Sequence, residues 1–289
     1  MRCDIAAARN FVYANARLLE QRVFAAWFEG GAVGSVVAAV AAYQNVDGGF
    51  GHGLEPDKRA PESQPLDVEI AFERLAMVEA HAPELLTAAC VWLATIAAPT
   101  GAVPIVLPSI AGYPRAEHWD RNEYEPDLNP TAAIAAHVHA LGVTHPWADR
   151  ATDYSFAEIE AGRAPDEAHS LLGLAKLVEH APDRQRALGC ADRLASALTT
   201  ARFMNMDPAA DSYGLSPLDF APAPDTVAHS WFDDHTVTAH LDQLESEQCE
   251  DGGWPITWQP LSEATRYEWR GIRTLNAVRV LNAYQRTTR

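Results

Sequence analysis

Residues 43–51 read YQNVDGGFG, and residues 248–256 read QCEDGGWPI. Both stretches contain Gln, two further residues, Asp-Gly-Gly and an aromatic ring, and each copy comes at the end of a helical pattern of apolar residues. A glycine after a helix adopts the left-handed conformation that most residues avoid, and an aspartate caps the turn. The repeated stretch is therefore predicted to end a helix, after which the ring packs back on the scaffold.

Two weaker copies of this turn are present. They are PTGAVP at 99–104 and ADSYGLSP at 210–217, and each lies, like the strong copies, at a long connection between predicted helices. Repetition of one turn at several helix exits indicates helical hairpins arranged in a closed ring.

The composition indicates a folded, acidic protein. Hydrophobic residues make up 48% of the 289 positions, which is enough for a substantial core, and the formal charge is −17. Nucleic acid and anionic lipid are bound through basic patches, so the excess of negative charge argues against both as partners. We expect a small-molecule substrate instead, and the sequence leaves the oligomeric state open.

The cysteines and the N-terminus predict a cytoplasmic protein. The four cysteines form no Cys-x-x-Cys pair and are interpreted as free thiols in a reducing compartment. The first residues lack the compact apolar segment and the cleavage site of a secretory signal. The most apolar stretch, 85–98, is shorter than the roughly 20 residues of a membrane-spanning helix, so a buried helix is expected there and no membrane span.

Helical patterns fill most of the chain, and the alternation typical of strands is confined to VPIVL at 103–107. The sequence therefore predicts an all-α protein in a single domain, 1–289. Helix 187–203 has one polar face, whereas 85–98 is apolar on most sides, so two layers of helices are expected. The predicted helices are 5–29, 33–45, 65–80, 83–98, 130–142, 146–160, 166–181, 183–203, 233–248 and 270–286.

The connections between predicted helices alternate in length. Short ones marked by proline, such as 142–146, alternate with long ones at 45–64, 98–129, 205–232 and 249–269. If consecutive helices are antiparallel, all the long connections lie at one end of the molecule. Five of the eight tryptophans lie in them, so the long connections are expected to be ordered and to carry binding and chemistry.

The stretches QNVDGGFG and QCEDGGW resemble the glutamine-tryptophan repeats of terpenoid cyclases and protein prenyltransferases, the squalene cyclase type of α/α toroid. They are also similar to repeats in uncharacterised bacterial proteins. The resemblance implies a barrel of helical hairpins in which the turn ends an outer helix and an inner helix follows. Ten or eleven helices fall short of six full pairs, and the proline-rich stretch 215–225 stands where an inner helix is expected. The ring is therefore either incomplete or closed there by extended chain.

Two Glu-Pro-Asp elements, in HGLEPD at 52–57 and NEYEPDLNP at 122–130, each precede a predicted inner helix. Glu55, Asp57 and Asp127 are therefore predicted to meet at the mouth of one cavity, where a carboxylic acid in a dry site would serve acid–base catalysis. The alternative is structural, because carboxylates at these positions also complement helix N-termini, cap helices or pair with nearby basic residues.

WFDDHTV at 231–237 is similar to the Asp-x-Asp-Asp-Thr motif of class II terpene cyclases, whose middle carboxylic acid protonates an alkene. That resemblance makes Asp233 the proton donor, although Trp231 stands where the motif has its first aspartate. The helix that follows runs to the second repeat, so it is an outer helix and places Asp233 at the end opposite the long connections. The alternative role of Asp233 is to cap that helix.

Further residues are predicted to contact a substrate. They are His52, His169, Asp211, Tyr213, Trp254, Trp258, Trp269 and Arg270. The alternatives are structural: His169 would make one hydrogen bond, Arg270 would form a salt bridge, and the polar loop residues would belong to turns. The histidine spacings match no convincing ligand pair, so neither a metal nor a cofactor is predicted.

Three functions are compatible with these features. The first is a terpenoid cyclase-like enzyme, a cyclase or isomerase that transfers a proton from a carboxylic acid to an apolar or polycyclic small molecule in a central cavity. The second is a carbohydrate-active α/α-barrel enzyme with two carboxylates flanking a sugar. The third is a non-catalytic small-molecule binding or scaffold protein. The repeats, the aromatic connections and the acidic elements favour the first.

Overall fold

The computed structural model describes residues 2–120 and 123–288, and over these residues the chain is all-α, as predicted. The helices are α1 Ile5–Asn15, α2 Leu18–Phe28, α3 Val33–Ala41, α4 Pro65–Ala76, α5 Pro83–Ile96, α6 Leu128–Ala140, α7 Pro146–Glu160, α8 Ala168–His180, α9 Arg184–Leu198, α10 Pro217–Phe220, α11 Asp234–Ser246 and α12 Glu263–Ala283. Short 3₁₀ helices are Pro108–Gly112, Glu117–Trp119 and Val227–Trp231. The two-residue strands β1 (Cys3–Asp4) and β2 (Thr287–Thr288) pair in parallel.

The chain divides into two compact units. The terminal unit consists of the residues up to Gly31 together with those from Arg202 onward, and the central unit is Ala32–Ala201. The expectation of a single domain over 1–289 stays a prediction. In the described residues, no helix is both long enough and apolar enough to cross a membrane.

Helices α4 to α9 of the central unit form two layers. In the first layer (α4, α6 and α8), α6 packs against both of its neighbours, and in the second layer (α5, α7 and α9), α7 does the same. Short connections join α4 to α5, α6 to α7 and α8 to α9. Each hairpin therefore contributes one helix to each layer, and the prediction of two layers is confirmed for this unit.

Helix α6 lies in the middle of the first layer, where small residues allow close contact on both sides. Residues 130–138 are all buried. Gly173 of α8 approaches so closely that a Cβ atom there would lie 3.2 Å from the backbone nitrogen of Ala133. Because protein interiors are close-packed, larger residues at these positions would push the helices apart.

The repeated stretch ends a helix as predicted. The first glycine of each copy has a left-handed backbone, with φ of +94° at Gly48 and +88° at Gly252. In each copy the aspartate side chain accepts a hydrogen bond from the amide of the second glycine, and the ring that follows, Phe50 or Trp254, is fully buried. The two copies therefore fold alike, although they belong to different units.

The glutamine of each copy ties its turn to a neighbouring helix. Gln44 Nε2 donates to the carbonyl oxygen of Leu85 in α5 at 3.0 Å. Gln248 Nε2 donates to the carbonyl oxygen of Asp4, the N-cap of α1, at 2.9 Å and its Oε1 accepts from the amide of Asp4 at 2.9 Å. A Cβ atom on the first glycine of either copy would overlap a carbonyl oxygen of that same helix. Each turn is therefore docked on the helix beside it.

The stretch 99–104 is a third copy of this turn. Gly101 has a φ of +93°, and a Cβ atom there would overlap the backbone of Ala151 in α7. Two backbone hydrogen bonds close the turn as in the other copies, and buried Val103 takes the place of the aromatic ring. The weaker stretch 210–217 is different, because α9 has already ended at Leu198 and the stretch lies within the connection that follows.

Two helices differ most from the sequence prediction. The predicted helix 5–29 is two helices, α1 and α2, because Ala16 has extended backbone with ψ of 160°. Ala16 is buried and in close contact with Gly271 of α12, so the break depends on packing and not on a local signal. The last helix begins earlier than predicted, at Glu263, after a capping box formed by a serine and a threonine.

Two irregular stretches complete the fold. The proline-rich stretch 215–225 contains the four-residue helix α10 and otherwise irregular chain. VPIVL at 103–107, which has the strand-like pattern, is buried irregular chain in which Val103 pairs with Asp127 in an isolated bridge.

The two long connections of the central unit pack against each other. The amide of Arg59 donates to the carbonyl oxygen of Pro114 at 3.0 Å, and that of Ala116 donates to the carbonyl oxygen of Asp57 at 2.7 Å. A buried apolar cluster adds side-chain contacts: Ala60, Val106, Ile110 and Trp119. For the described residues of these two connections, the prediction that long connections are ordered and gathered together is confirmed.

Candidate active site

The Glu-Pro-Asp element at 55–57 belongs to a buried ionic cluster. Lys58 Nζ lies 2.6 Å from Asp67 Oδ2 in α4 and 4.0 Å from Glu55 Oε2. The backbone amide of Glu55 donates to Asp67 Oδ1 at 2.7 Å. A charged group removed from water needs such partners. The cluster therefore fastens the first long connection to the start of α4.

Glu55 is a buried acid within this cluster. Loss of hydration raises its pKa to about 8, which outweighs the lowering effect of the Lys58 ammonium. Asp57 is buried as well. Because neither side chain is open to solvent, a small molecule has no direct access to them. The structure favours the structural alternative for both residues.

Asp127 and Asp233 cap helices. Exposed Asp127 accepts a hydrogen bond from the amide of Leu128 at the start of α6, at 2.7 Å. Asp233 accepts hydrogen bonds from the amide and the hydroxyl of Thr236 at the start of α11, and these bonds lower its pKa. A lowered pKa opposes the role of proton donor, because the acid is then ionised at neutral pH. Both aspartates have the capping role that was the alternative.

The two predicted histidines lie in different settings. His52 is exposed, and its Nε2 lies 2.9 Å from Asn45 Oδ1. His169 lies in the first turn of α8, with Nδ1 3.0 Å from Glu167 Oε2. The predicted helix 166–181, which has His169 near its start, agrees with α8.

Aromatic rings form a row in the terminal unit. Tyr213 and Trp258 make an edge-to-face contact with 5.7 Å between centroids, and Trp258 makes another with Trp269 at 5.2 Å. Tyr213 is exposed, as is Asp211 in the same connection. The structure therefore brings three of the predicted substrate-contacting rings together.

Trp254 and Arg270 belong to the second copy of the turn. The Nε1 of buried Trp254 donates to the carbonyl oxygen of Leu244 at 2.8 Å. The Arg270 guanidinium donates to both carboxylate oxygens of Asp251 at 2.8 Å and lies 4.4 Å from the centroid of the Phe11 ring. Arg270 thus forms the salt bridge that was its alternative role, and the polar atoms of both residues are engaged within the fold.

A group of charged side chains that the sequence analysis did not single out lies between α4 and α8. Lys176 Nζ of α8 is 3.0 Å from Glu73 Oε1 and 3.8 Å from Glu69 Oε1 of α4. The carboxylate of Glu73 also accepts a hydrogen bond from Arg74 at 2.7 Å. The side chains meet across α6, the small-residue helix between them. Together these residues form the α4/α8 cluster: Glu69, Glu73, Lys176, Glu167 and His169.

The α4/α8 cluster is shielded from bulk water without being closed. The side chains of Glu69 and Lys176 are 17% and 22% exposed, and the other members are half-buried to a similar degree. A catalytic acid has to be desolvated enough to hold its proton and still be in reach of a substrate. Glu69 satisfies both conditions, whereas Glu55 satisfies the first alone.

The cluster contains two carboxyl groups whose pKa values are moved apart. Loss of hydration raises the pKa of Glu69 to about 7 against the lowering effect of Lys176. Burial also raises the pKa of Glu167, but hydrogen bonds, of which the one from His169 has the largest effect, lower that pKa to about 2. Two carboxyl groups whose pKa values differ in this way take different roles. Glu69 holds a proton near neutral pH, and ionised Glu167 orients His169.

The sequence does contain a signal for part of this cluster. Glu69 and Glu73 are four residues apart in VEIAFERLA and so share one face of an otherwise apolar helix. Their partner Lys176 is 103 positions from Glu73. The pairing therefore depends on how α4 and α8 pack around α6, which no local pattern reveals.

Comparison of the sequence with models of known protein families and with curated proteins gave no match. The function is accordingly inferred from the geometry and chemistry of the α4/α8 cluster.

Proposed function

We propose that the chain is an α/α toroid enzyme that acts by acid–base catalysis on a small molecule, with Glu69 as the proton donor. The observation that carries the proposal is the α4/α8 cluster. In it a partly exposed carboxylic acid with a pKa of about 7 lies 3.8 Å from an ammonium group and near an imidazole. Ionisable groups with strongly shifted pKa values are concentrated at functional sites.

The three copies of the turn support the toroid. Gly48 docks on α5, Gly101 on α7 and Gly252 on α1, so the same turn repeatedly docks on a helix that follows it or begins the chain. Repeated docking of one helical hairpin on the next builds a solenoid or a ring. If the resemblance to terpenoid cyclases and prenyltransferases holds, the first layer would be the inner one and its α4/α8 cluster would line the central cavity.

In the proposed reaction Glu69 transfers its carboxyl proton to the substrate. Lys176 stabilises the carboxylate that is left, because an ammonium 3.8 Å away interacts strongly with it in a shielded site. A proton lost from another position of the substrate returns to Glu69, directly or through His169, which Glu167 orients at 3.0 Å. No net proton is consumed, and the reactions with this balance are isomerisations and cyclisations.

The proposed substrate class rests on the resemblance and on the charges of the cluster. The resemblance implies an apolar or polycyclic small molecule. The charged neighbours of Glu69 add the requirement of a polar group that binds Lys176 or Glu73. A carbonyl or hydroxyl group next to the protonated carbon meets both conditions.

Proton transfer can be measured before the physiological substrate is known. We expect the protein, incubated in heavy water with squalene-like polyenes, prenyl diphosphates and cyclic metabolites, to convert or deuterate at least one compound, as followed by mass spectrometry. Glu69→Gln keeps the size of the side chain and removes the acid, so it should lower the rate by about 10²–10⁴-fold. Glu55→Gln is the matched control, because it removes another acid of raised pKa that is closed to solvent, and it should keep the activity.

Thermal unfolding of both variants separates loss of activity from loss of fold. Equal rates in the wild-type protein and Glu69→Gln would contradict the proposal. So would a folded Glu55→Gln variant that loses activity to the same extent as Glu69→Gln.

A further inference from the structure

The terminal unit contains a cavity of about 140 Å³ that the proposed reaction does not use. Its walls come from the connection 205–219, from α11, from the stretch 255–258 and from α12. One water molecule occupies about 10–15 Å³ of such space. The cavity therefore has room for on the order of ten water molecules, or for one six-membered ring with its substituents.

The polar groups of the cavity include both donors and acceptors. Arg273 lies 3.9 Å from Glu247 Oε2, and Glu247 Oε1 accepts a hydrogen bond from Gln243 at 3.1 Å. Asp207 and Asp219 add two further carboxylates, which accept hydrogen bonds from the amide of Ala209 and from Ser216. The three carboxylates disfavour an anion, and the guanidinium of Arg273 disfavours a cation beside it. A hydroxyl group donates and accepts hydrogen bonds at once and so matches this mixed lining.

Asn276 of α12 provides a binding group that the fold leaves unused. Its side chain lines the cavity, and its Oδ1 is shielded from solvent yet accepts no hydrogen bond from the residues that the structure describes. A buried amide oxygen without a donor is unfavourable. A ligand hydroxyl in the cavity would supply that donor after rotation of the amide toward it.

One wall of the cavity is an indole ring held in position. Trp258 lines the cavity and is fixed by edge contacts with Tyr213 and Trp269. A side chain that is already ordered loses little conformational entropy when a ligand packs on it. The apolar C–H face of a sugar ring complements the face of an aromatic ring, while its hydroxyl groups reach the polar side of the cavity.

We propose that this cavity binds a neutral polyhydroxylated molecule of the size of a single sugar ring. The volume, the mixed lining, the unused oxygen of Asn276 and the fixed ring of Trp258 all favour this ligand class. The residues of the cavity belong to the terminal unit and those of the α4/α8 cluster to the central unit. Sugar binding and proton transfer by Glu69 are therefore tested with separate variants and separate readouts.

Binding to the full chain is tested with D-glucose, D-galactose, N-acetyl-D-glucosamine and myo-inositol, by tryptophan fluorescence and saturation-transfer NMR. We expect saturable binding of at least one of them with a Kd of about millimolar order. Inorganic phosphate and benzamidine are the anionic and cationic comparison probes and should bind more weakly. Asn276→Leu should weaken sugar binding about tenfold or more, and Glu69→Gln should leave it unchanged.

Circular dichroism and thermal unfolding establish that each variant is folded. Trp258→Ala, which changes an irregular stretch, is the second cavity variant if Asn276→Leu unfolds the chain. The proposal would be overturned by the absence of saturable binding for all four polyols, by tighter binding of phosphate or benzamidine, or by unchanged sugar affinity in the folded cavity variants. Sugar binding that persists in Glu69→Gln is the expected result and supports the proposal, whether or not that variant still transfers protons.

Discussion

At the scale of single residues, Glu55 and Glu69 show how one side-chain type takes two roles. Burial raises the pKa of both, to about 8 and about 7. Glu55 shares a closed cluster with Lys58 and Asp67, whereas Glu69 keeps part of its side chain exposed. A raised pKa therefore does not by itself identify a catalytic acid, and access to the acid decides between the roles.

Glu55 should make the stability of the protein depend on pH. Its folded pKa of about 8 lies above the ordinary value of 4.5. The stabilising contribution of the protonated form is therefore complete below about pH 4.5 and is lost as the pH rises through about 8. We expect Glu55→Gln, which resembles the protonated acid, to reduce the fall in the free energy of unfolding between about pH 5 and about pH 8. Urea unfolding at several pH values measures this fall.

The control for this experiment is Glu84→Gln, since Glu84 is exposed on α5. It should keep the wild-type dependence of stability on pH. Parallel curves for the wild-type protein and Glu55→Gln would show that Glu55 is ionised at neutral pH in the folded chain, contrary to its place in the buried cluster.

At the scale of secondary-structure elements, the helix exit is the feature that sequence reasoning predicted best. Its conformation is decided within a few residues, by a glycine with positive φ and an aspartate that caps the next amide. The break at Ala16 could not be predicted in the same way, because no proline or glycine marks it and its close contact with Gly271 comes from α12. The sequence was therefore sufficient to predict a conformation that neighbouring residues determine, and insufficient for one that depends on packing against a distant helix.

The docking of the turn predicts a difference between two glycines. Gly252 and Gly162 both have positive φ, +88° and +77°, so alanine strains the backbone at each by about 1–2 kcal/mol. At Gly252 the added Cβ would also overlap the carbonyl oxygen of Ala7, whereas at Gly162 it would meet none of the described atoms within 4 Å. We expect Gly252→Ala to lower the Tm clearly more than Gly162→Ala. Equal losses would show that the turn is not held by its neighbour.

At the scale of the whole molecule, the candidate site comes from helices that are distant in the sequence. The hairpins α4–α5 and α8–α9 each supply part of the α4/α8 cluster, and α6 between them allows the long side chains to meet. The sequence pattern predicts His169 at the start of its helix, but it does not single out Glu69, because the acids that follow recognisable motifs lie in the long connections or at a helix start. Those acids, Glu55, Asp127 and Asp233, close a buried cluster or cap helices.

The titration of Glu69, followed by carbon-13 NMR of the glutamate carboxyl carbons, tests the assignment of the proton donor most directly. We expect one resonance that is absent from Glu69→Gln to titrate with a pKa of about 7. Lys176→Met should raise that pKa further, because it removes the ammonium that lowers it, and Glu55→Gln identifies the other resonance of raised pKa. A Glu69 resonance that titrates at the ordinary value of 4.5, or one that does not respond to the loss of Lys176, would contradict Glu69 as the proton donor.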